Sequence, residues 1–154
     1  MIINWLPSVW TPNQSLFSVK CEILDVELEE GRRSGKLTAI SKQADSLYSL
    51  IADGQYRVTS LSRDAWKALI GSQAYLQYYC NKEGFNAVCS WSKHSKARIG
   101  IVGNKYDDCG ACDSRIGFGT RGYPDDLNTC CNVAKWYPDN GDKYIKVVGC
   151  ILVQ

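Results

Sequence analysis

Arg98-Ile99-Gly100-Ile101-Val102 is the run on which the fold turns: β-branched residues around one glycine, too short for a helix and suited to a strand. Working outward, Arg115 to Gly119 reads as a second short strand. Ile145 to Val153 reads as a third, nearly continuous in apolar residues and therefore expected at the centre of a sheet. Towards the N-terminus, Val19 to Leu28 alternates in part and predicts a strand ending at Glu29-Glu30-Gly31. Two helices are expected between these strands. The first has Ser41 as N-cap, an apolar side made by Ala44, Leu47, Tyr48 and Ile51, and an end at Asp53-Gly54. The second starts at Ser62, carries Asp64 in its first turn, places Ala65, Trp66, Leu69 and Ile70 on one side, and closes at Gly71. Helices early and strands late give an α+β class. Residues 1–36, with Pro7, Pro12 and the Glu-Glu-Gly-Arg-Arg-Ser-Gly stretch, read as an N-terminal arm or irregular edge, and 37–154 as the main lobe.

The chain has 154 residues, a formal net charge of +2 and 45% hydrophobic residues, which suits one domain with a buried core. No apolar run approaches the ~20 residues that span a bilayer, and the near-neutral charge gives no electrostatic reason to expect nucleic acid. The charge is unevenly placed. Residues 104–142 hold seven aspartates and no glutamate, against Lys105, Arg115, Arg121 and Lys135, and eight of the 13 glycines lie in 100–149. That composition predicts tight turns, and it is also what an oxygen-ligand calcium site is made from. Solvated turn residues are the competing reading. Trp136 and Tyr137 sit beside the acids, where aromatic faces could pack on the C–H faces of a sugar; Trp136 as a core residue is the alternative.

Eight cysteines (Cys21, Cys80, Cys89, Cys109, Cys112, Cys130, Cys131 and Cys150) are more than a reducing compartment usually hosts without a metal, so disulfides and a secreted, extracellular location are expected. Met1 to Pro7 shows neither a basic nor an apolar leader region, so no signal peptide is visible in this chain. Cys109-Gly-Ala-Cys112 has the form shared by zinc sites and thiol oxidoreductases. Zinc needs a second pair, which adjacent Cys130 and Cys131 do not readily supply, and the flanking Asp107, Asp108 and Asp113 oppose a low thiol pKa. His94 is the sole histidine. Set among Lys93, Ser95 and Lys96, it reads as a structural or incidental residue on an exposed loop, and no nucleophile elbow or phosphate-binding loop accompanies it. No catalytic residues are assigned, and a non-enzymatic protein is expected. Asn13-Gln14-Ser15 is a glycosylation sequon.

Several blocks occur together in order: Ser46-Leu-Tyr-Ser-Leu-Ile-Ala-Asp-Gly54, Cys80-Asn-Lys-Glu-Gly-Phe-Asn86, Lys96 to Asn104, Asp107-Asp-Cys109, Cys112-Asp-Ser-Arg-Ile-Gly-Phe-Gly119 and Asn140 to Gln154. Over about residues 37–154 they resemble the C-terminal half of fibrinogen-related proteins of the secreted coral matrix type and, more distantly, the intelectins, which are calcium-dependent X-type lectins. The Gly-Gly-Gly-Trp-Thr block that opens such domains is absent. The resemblance therefore implies a partial fibrinogen-like or intelectin-like domain, with twisted antiparallel strands and disulfide-linked Gly/Asp-rich loops. It places Asp113 where a calcium-ligating histidine would sit, Asp125 or Asp126 at a ligating glutamate, and Trp136 or Tyr137 at the aromatic wall. The expectation is a calcium-dependent, lectin-like carbohydrate-binding module, with glycans or extracellular matrix components as partners. An open sheet edge adds self-association to a homo-oligomer. The alternative is an extracellular or skeletal matrix scaffold without a defined small ligand.

Overall fold

The computed structural model describes residues 17–22, 38–40, 42, 44–71, 74–127, 130–145 and 148–153, with backbone alone for 17–22, 148–150 and 152–153. In chain order the elements are β1 (Phe17–Glu22), β2 (Thr38–Ile40), α1 (Leu47–Ile51), α2 (Arg63–Ala68), β3 (Tyr79–Val88), β4 (Lys96–Asn104), β5 (Ser114–Phe118), β6 (Cys130–Ala134), β7 (Lys143–Ile145) and β8 (Val148–Val153). They form two antiparallel sheets, a five-stranded one ordered β3-β4-β5-β6-β7 and a three-stranded one ordered β2-β1-β8. The class is α+β. Among the described residues no helix is long and apolar enough to cross a membrane.

Helix α2 forms where its sequence predicts it. The Ser62 hydroxyl accepts the Ala65 N–H at 3.1 Å, Trp66, Leu69 and Ile70 are fully buried, and Gly71 leaves the helix at φ 90°. Helix α1 is shorter than expected. Its cap is Ser46, which exchanges side-chain bonds with Ser49 in both directions at 3.1 and 3.3 Å, while Ser41 lies outside the described residues. Its buried residue is Leu50, and Tyr48, expected on the apolar side, is 76% exposed. A five-residue helix is too short for an i, i+7 pattern to settle which side packs.

The C-terminal run corrects a second expectation. It is split between two sheets: β7 is an edge of the larger one, and β8 is an outer strand of the smaller one, beside β1. The centre of the larger sheet is β5, Ser114-Arg115-Ile116-Gly117-Phe118, buried along its whole length although it contains a cation and a hydroxyl. A continuous apolar run signals burial, and Ile151 is indeed buried, but facing side chains rather than neighbouring strands bury it. Phe17–Glu22, which overlaps the strand expected from Val19 within the segment read as an arm or irregular edge, is the middle strand of the small sheet. The remainder of the strand expected to Leu28 lies outside the described residues.

Ile40 and Ile151 of the small sheet join Trp66, Leu69, Ile70, Leu76, Phe85, Ile99, Ile101, Ile116 and Phe118 in one core. Strand β3 escaped sequence reading because it is polar; its Glu83 carboxylate is occupied by the Ser60 N–H at 2.9 Å, the Trp66 indole N–H at 3.2 Å and the Thr59 hydroxyl. Gly84, Gly100 and Gly117 are successive cross-strand partners on β3, β4 and β5. At Gly117, held at φ 143°, an added Cβ would collide with the Ile99 carbonyl and stand 2.6 Å from the Gly100 Cα. Gly117→Ala should therefore destabilise by about 2–4 kcal/mol, since strained φ and a backbone clash combine. Gly141→Ala, at φ 90° in open space, should cost only about 1 kcal/mol. Urea unfolding of the two variants checks that order.

Candidate functional site

Three loops meet beside the end of the large sheet, and buried Arg115 ties two of them together. Its guanidinium donates to the Gly122 carbonyl at 2.7 Å, to the Asp125 carbonyl and to the Ser95 hydroxyl at 3.4 Å. Burial pushes its pKa down to about 10, against the pull of Asp125, Asp126 and Tyr144, so it stays charged at neutral pH. Residues 119–127 are further fixed by Lys96–Arg121 backbone bonds in both directions, by Tyr123 N–H on the Lys93 carbonyl at 2.8 Å, and by Ser95 on the Tyr123 carbonyl at 3.0 Å.

The loop from 105 to 113 folds back over the β3–β4 hairpin. Ser90, Trp91 and Ser95 donate their N–H groups to Cys109, Gly110 and Cys112 at 2.9 to 3.1 Å. Disulfides Cys80–Cys109 and Cys89–Cys112 lock it there, with Cα separations of 5.0 and 6.0 Å. With Ala87 and Val102 these cysteines make a second small core. Cys130 and Cys131 of β6 are bonded to each other. The side chains of Cys21 and Cys150 lie outside those described; their backbones are neighbours on β1 and β8.

The third loop follows β6 and carries Trp136 and Tyr137. Both hold positive φ, 61° and 65°, a region that costs a non-glycine residue on the order of 1–3 kcal/mol. Two anchors impose it. Buried Gln77 donates to the Lys135 and Trp136 carbonyls at 3.0 and 2.8 Å, and Asp139 takes the Leu76 N–H at 3.0 Å together with Arg63 and Lys67. The aromatics stay outside the core, Trp136 at 43% and Tyr137 at 78% exposure. Trp136 donates its indole N–H to the Tyr123 hydroxyl at 2.9 Å; the Tyr123 ring meets His94, and His94 meets Trp91, each with centroids 5.6 Å apart. The result is a surface ridge of Trp91, His94, Tyr123 and Trp136.

Here His94 takes the structural half of its sequence reading, but not the exposed setting expected of it. It is half-buried, and its Nδ1 bonds the Asp113 carboxylate at 3.0 Å. Desolvation raises the Asp113 pKa, with the His94 contact opposing it. Sequence reasoning missed this pair because 19 residues separate its members. The expected calcium ligands are held in three different roles. Asp113 serves His94, the Asp125 side chain accepts the Leu127 N–H at 2.9 Å, and the Asp126 side chain accepts the Gly122 N–H at 2.7 Å. Among the described residues, the group of three or more potential metal-ligating atoms gathered within 4.8 Å is one of sulfurs, not carboxylates. Asp125 and Asp126 thus accept nearby backbone N–H groups as turn residues do, while Asp113 bonds the imidazole.

Two grooves share Lys96, and the first of them reaches the ridge at Tyr123. One, of about 560 Å³, is lined by Lys93, Lys96, Tyr123 and Asp126. The other, of about 640 Å³, is lined by Asn86, Lys96, Arg98 and Arg121 among others, with no acidic side chain. No family model, curated protein or solved structure matches the chain.

Asp139 sets a pH dependence. Burial raises its pKa, but the Lys67, Leu76 and Arg63 bonds outweigh burial and the net shift is downward. Its stabilisation is thus complete above the unfolded carboxylate value of about 4 and is lost as pH falls through the lower folded value. Asp139→Asn should cost on the order of 2 kcal/mol at pH 7 and flatten the acid limb of the stability–pH curve. Denaturant titrations from pH 2 to pH 7, spanning that limb, test both.

Proposed function

We propose that the protein is an extracellular, non-enzymatic recognition module that binds an acidic carbohydrate. The carrying observation is the pair Trp136-Tyr137: two consecutive, exposed aromatics held at positive φ by buried anchors. Backbone strain of that kind persists only where surrounding structure over-determines it, and it gathers at binding sites. An aromatic ridge on loops already fixed by Arg115 and two disulfides loses little ordering entropy when a ligand arrives. Sugar C–H faces would pack on Trp136, Tyr123 and Trp91. Lys96, Arg98 and Arg121 would take a uronate carboxylate or a sulfate, which favours acidic over neutral glycans. The disulfides support an oxidising, extracellular setting, and the blocks resembling fibrinogen-related and intelectin domains are in keeping with a lectin-like role.

The grip proposed is stacking plus cationic contact, with calcium as a separable expectation. A glycan array read in millimolar calcium and again in chelator should show saturable binding to acidic glycans in both. Loss of binding in chelator would transfer the grip to a metal. Adsorption to mineral that falls steadily with salt, with no glycan retained, would replace the module with a matrix scaffold. Trp136→Ala should weaken the best glycan about tenfold or more, equivalent to about 1.4 kcal/mol, while Tyr48→Ala, on α1 and outside the ridge, should leave it unchanged.

A further inference from the structure

Across the two hairpin-locking disulfides, the sulfurs of Cys80, Cys89 and Cys112 lie within 4.8 Å of one another, and the fourth, Cys109, is bonded to Cys80. Cys80 and Cys89 stand at opposite ends of the β3 region, nine residues apart, which in a regular strand would separate them by about 30 Å. Positive φ at Cys80, Asn81, Gly84 and Asn86 curls the strand instead, and the Cys80 and Cys89 sulfurs, not bonded to each other, lie 3.8 Å apart. That is the sulfur–sulfur edge of a tetrahedron drawn around a zinc ion with Zn–S of about 2.3 Å. The Cys112 sulfur lies within 4.8 Å of both. Cys109, disulfide-bonded to Cys80, supplies the fourth sulfur and completes a Cys-x-x-Cys pair with Cys112.

We propose that these four cysteines are a redox-exchangeable metal site: two disulfides when oxidised, and a tetrathiolate zinc centre when reduced. The second pair that Cys109 and Cys112 lacked in the sequence comes from the curled strand. Cys89 and Cys112 are buried against Ala87 and Val102, and Cys80 and Cys109 are partly buried beside them. The turn between Cys109 and Cys112 is already shaped by Asp108, whose carboxylate accepts the Gly110 N–H and an Asn104 amide N–H, both at 2.7 Å. Each disulfide takes two electrons and two protons from one molecule of a dithiol reductant, which closes to its own disulfide. Zinc then displaces four protons from the four thiols, leaving a centre of net charge −2. Either state pins the 105–113 loop over the hairpin, so the exchange preserves the fold while changing what holds it. This inference stands apart from the glycan reading.

The native protein is reduced with a phosphine, which binds zinc weakly and leaves as phosphine oxide after giving each disulfide two electrons, its oxygen and the two protons coming from water. Reductant is removed and zinc or cobalt(II) is added. One metal per chain by elemental analysis and the visible bands of a tetrahedral cobalt tetrathiolate are expected. Cys130→Ser/Cys131→Ser and Cys21→Ser/Cys150→Ser should keep that stoichiometry and spectrum; Cys109→Ser/Cys112→Ser should lose both. Reduced chain that unfolds and recovers its circular dichroism on adding zinc also supports the site, because binding is then coupled to folding. Absence of uptake, uptake retained in Cys109→Ser/Cys112→Ser, or reduced protein that zinc fails to restore would overturn it.

Discussion

A buried positive charge organises this molecule. Arg115 sits in the central strand of the larger sheet with no exposed surface, and removing a guanidinium from water is unfavourable unless its donors are met. Its two terminal amino groups donate to backbone carbonyls of one loop and a hydroxyl of another, so these loops take positions that solvate the cation. The acids Asp125 and Asp126 lie close enough to oppose its loss of charge. Part of the acidic composition of the C-terminal half therefore serves an internal partner and the turns around it.

Sulfur plays a parallel part on the other side of the hairpin. The loop 105–113 has few apolar side chains with which to hold itself down, and the small core under it is built largely from cysteines. Cross-linking four of them substitutes covalent constraint for the apolar area the loop lacks. The same compactness brings the Cys80 and Cys89 sulfurs, which are not bonded to each other, to 3.8 Å, and it is on this spacing that the proposed metal chemistry rests.

The ridge depends on both devices. Trp91 and His94 belong to the turn over which the cystine loop folds, Tyr123 belongs to the loop that solvates Arg115, and Trp136 is held by Gln77 and its own hydrogen bond to Tyr123. Gln77 also accepts the Asp113 N–H at 3.2 Å, linking the aromatic turn to the carboxylate that holds His94. Strain at Trp136 and Tyr137 is thus supported by buried polar groups with defined partners, which keeps the aromatics out in solvent instead of letting the turn relax and fold them inward.

Local sequence alone determined those features whose causes lie within a few residues of one another. The Ser62 cap, the apolar face of α2 and the strand at Arg98 to Val102 are all set by neighbours, and all are found. The aromatic pair and the turn-forming role of the aspartates were also legible from composition. Tertiary structure decided the rest. It placed Ser114 to Phe118, rather than the more apolar C-terminus, at the centre of the large sheet, where bonds to loop carbonyls that periodicity does not reveal hold its arginine. It also chose which cysteines meet, gave His94 its aspartate, and joined Arg63 to Asp139 across 76 residues. Periodicity reports whether a residue is buried. The partner that makes burial of a charge, a thiol or a carboxylate tolerable comes from distant parts of the chain, and only the folded arrangement specifies it.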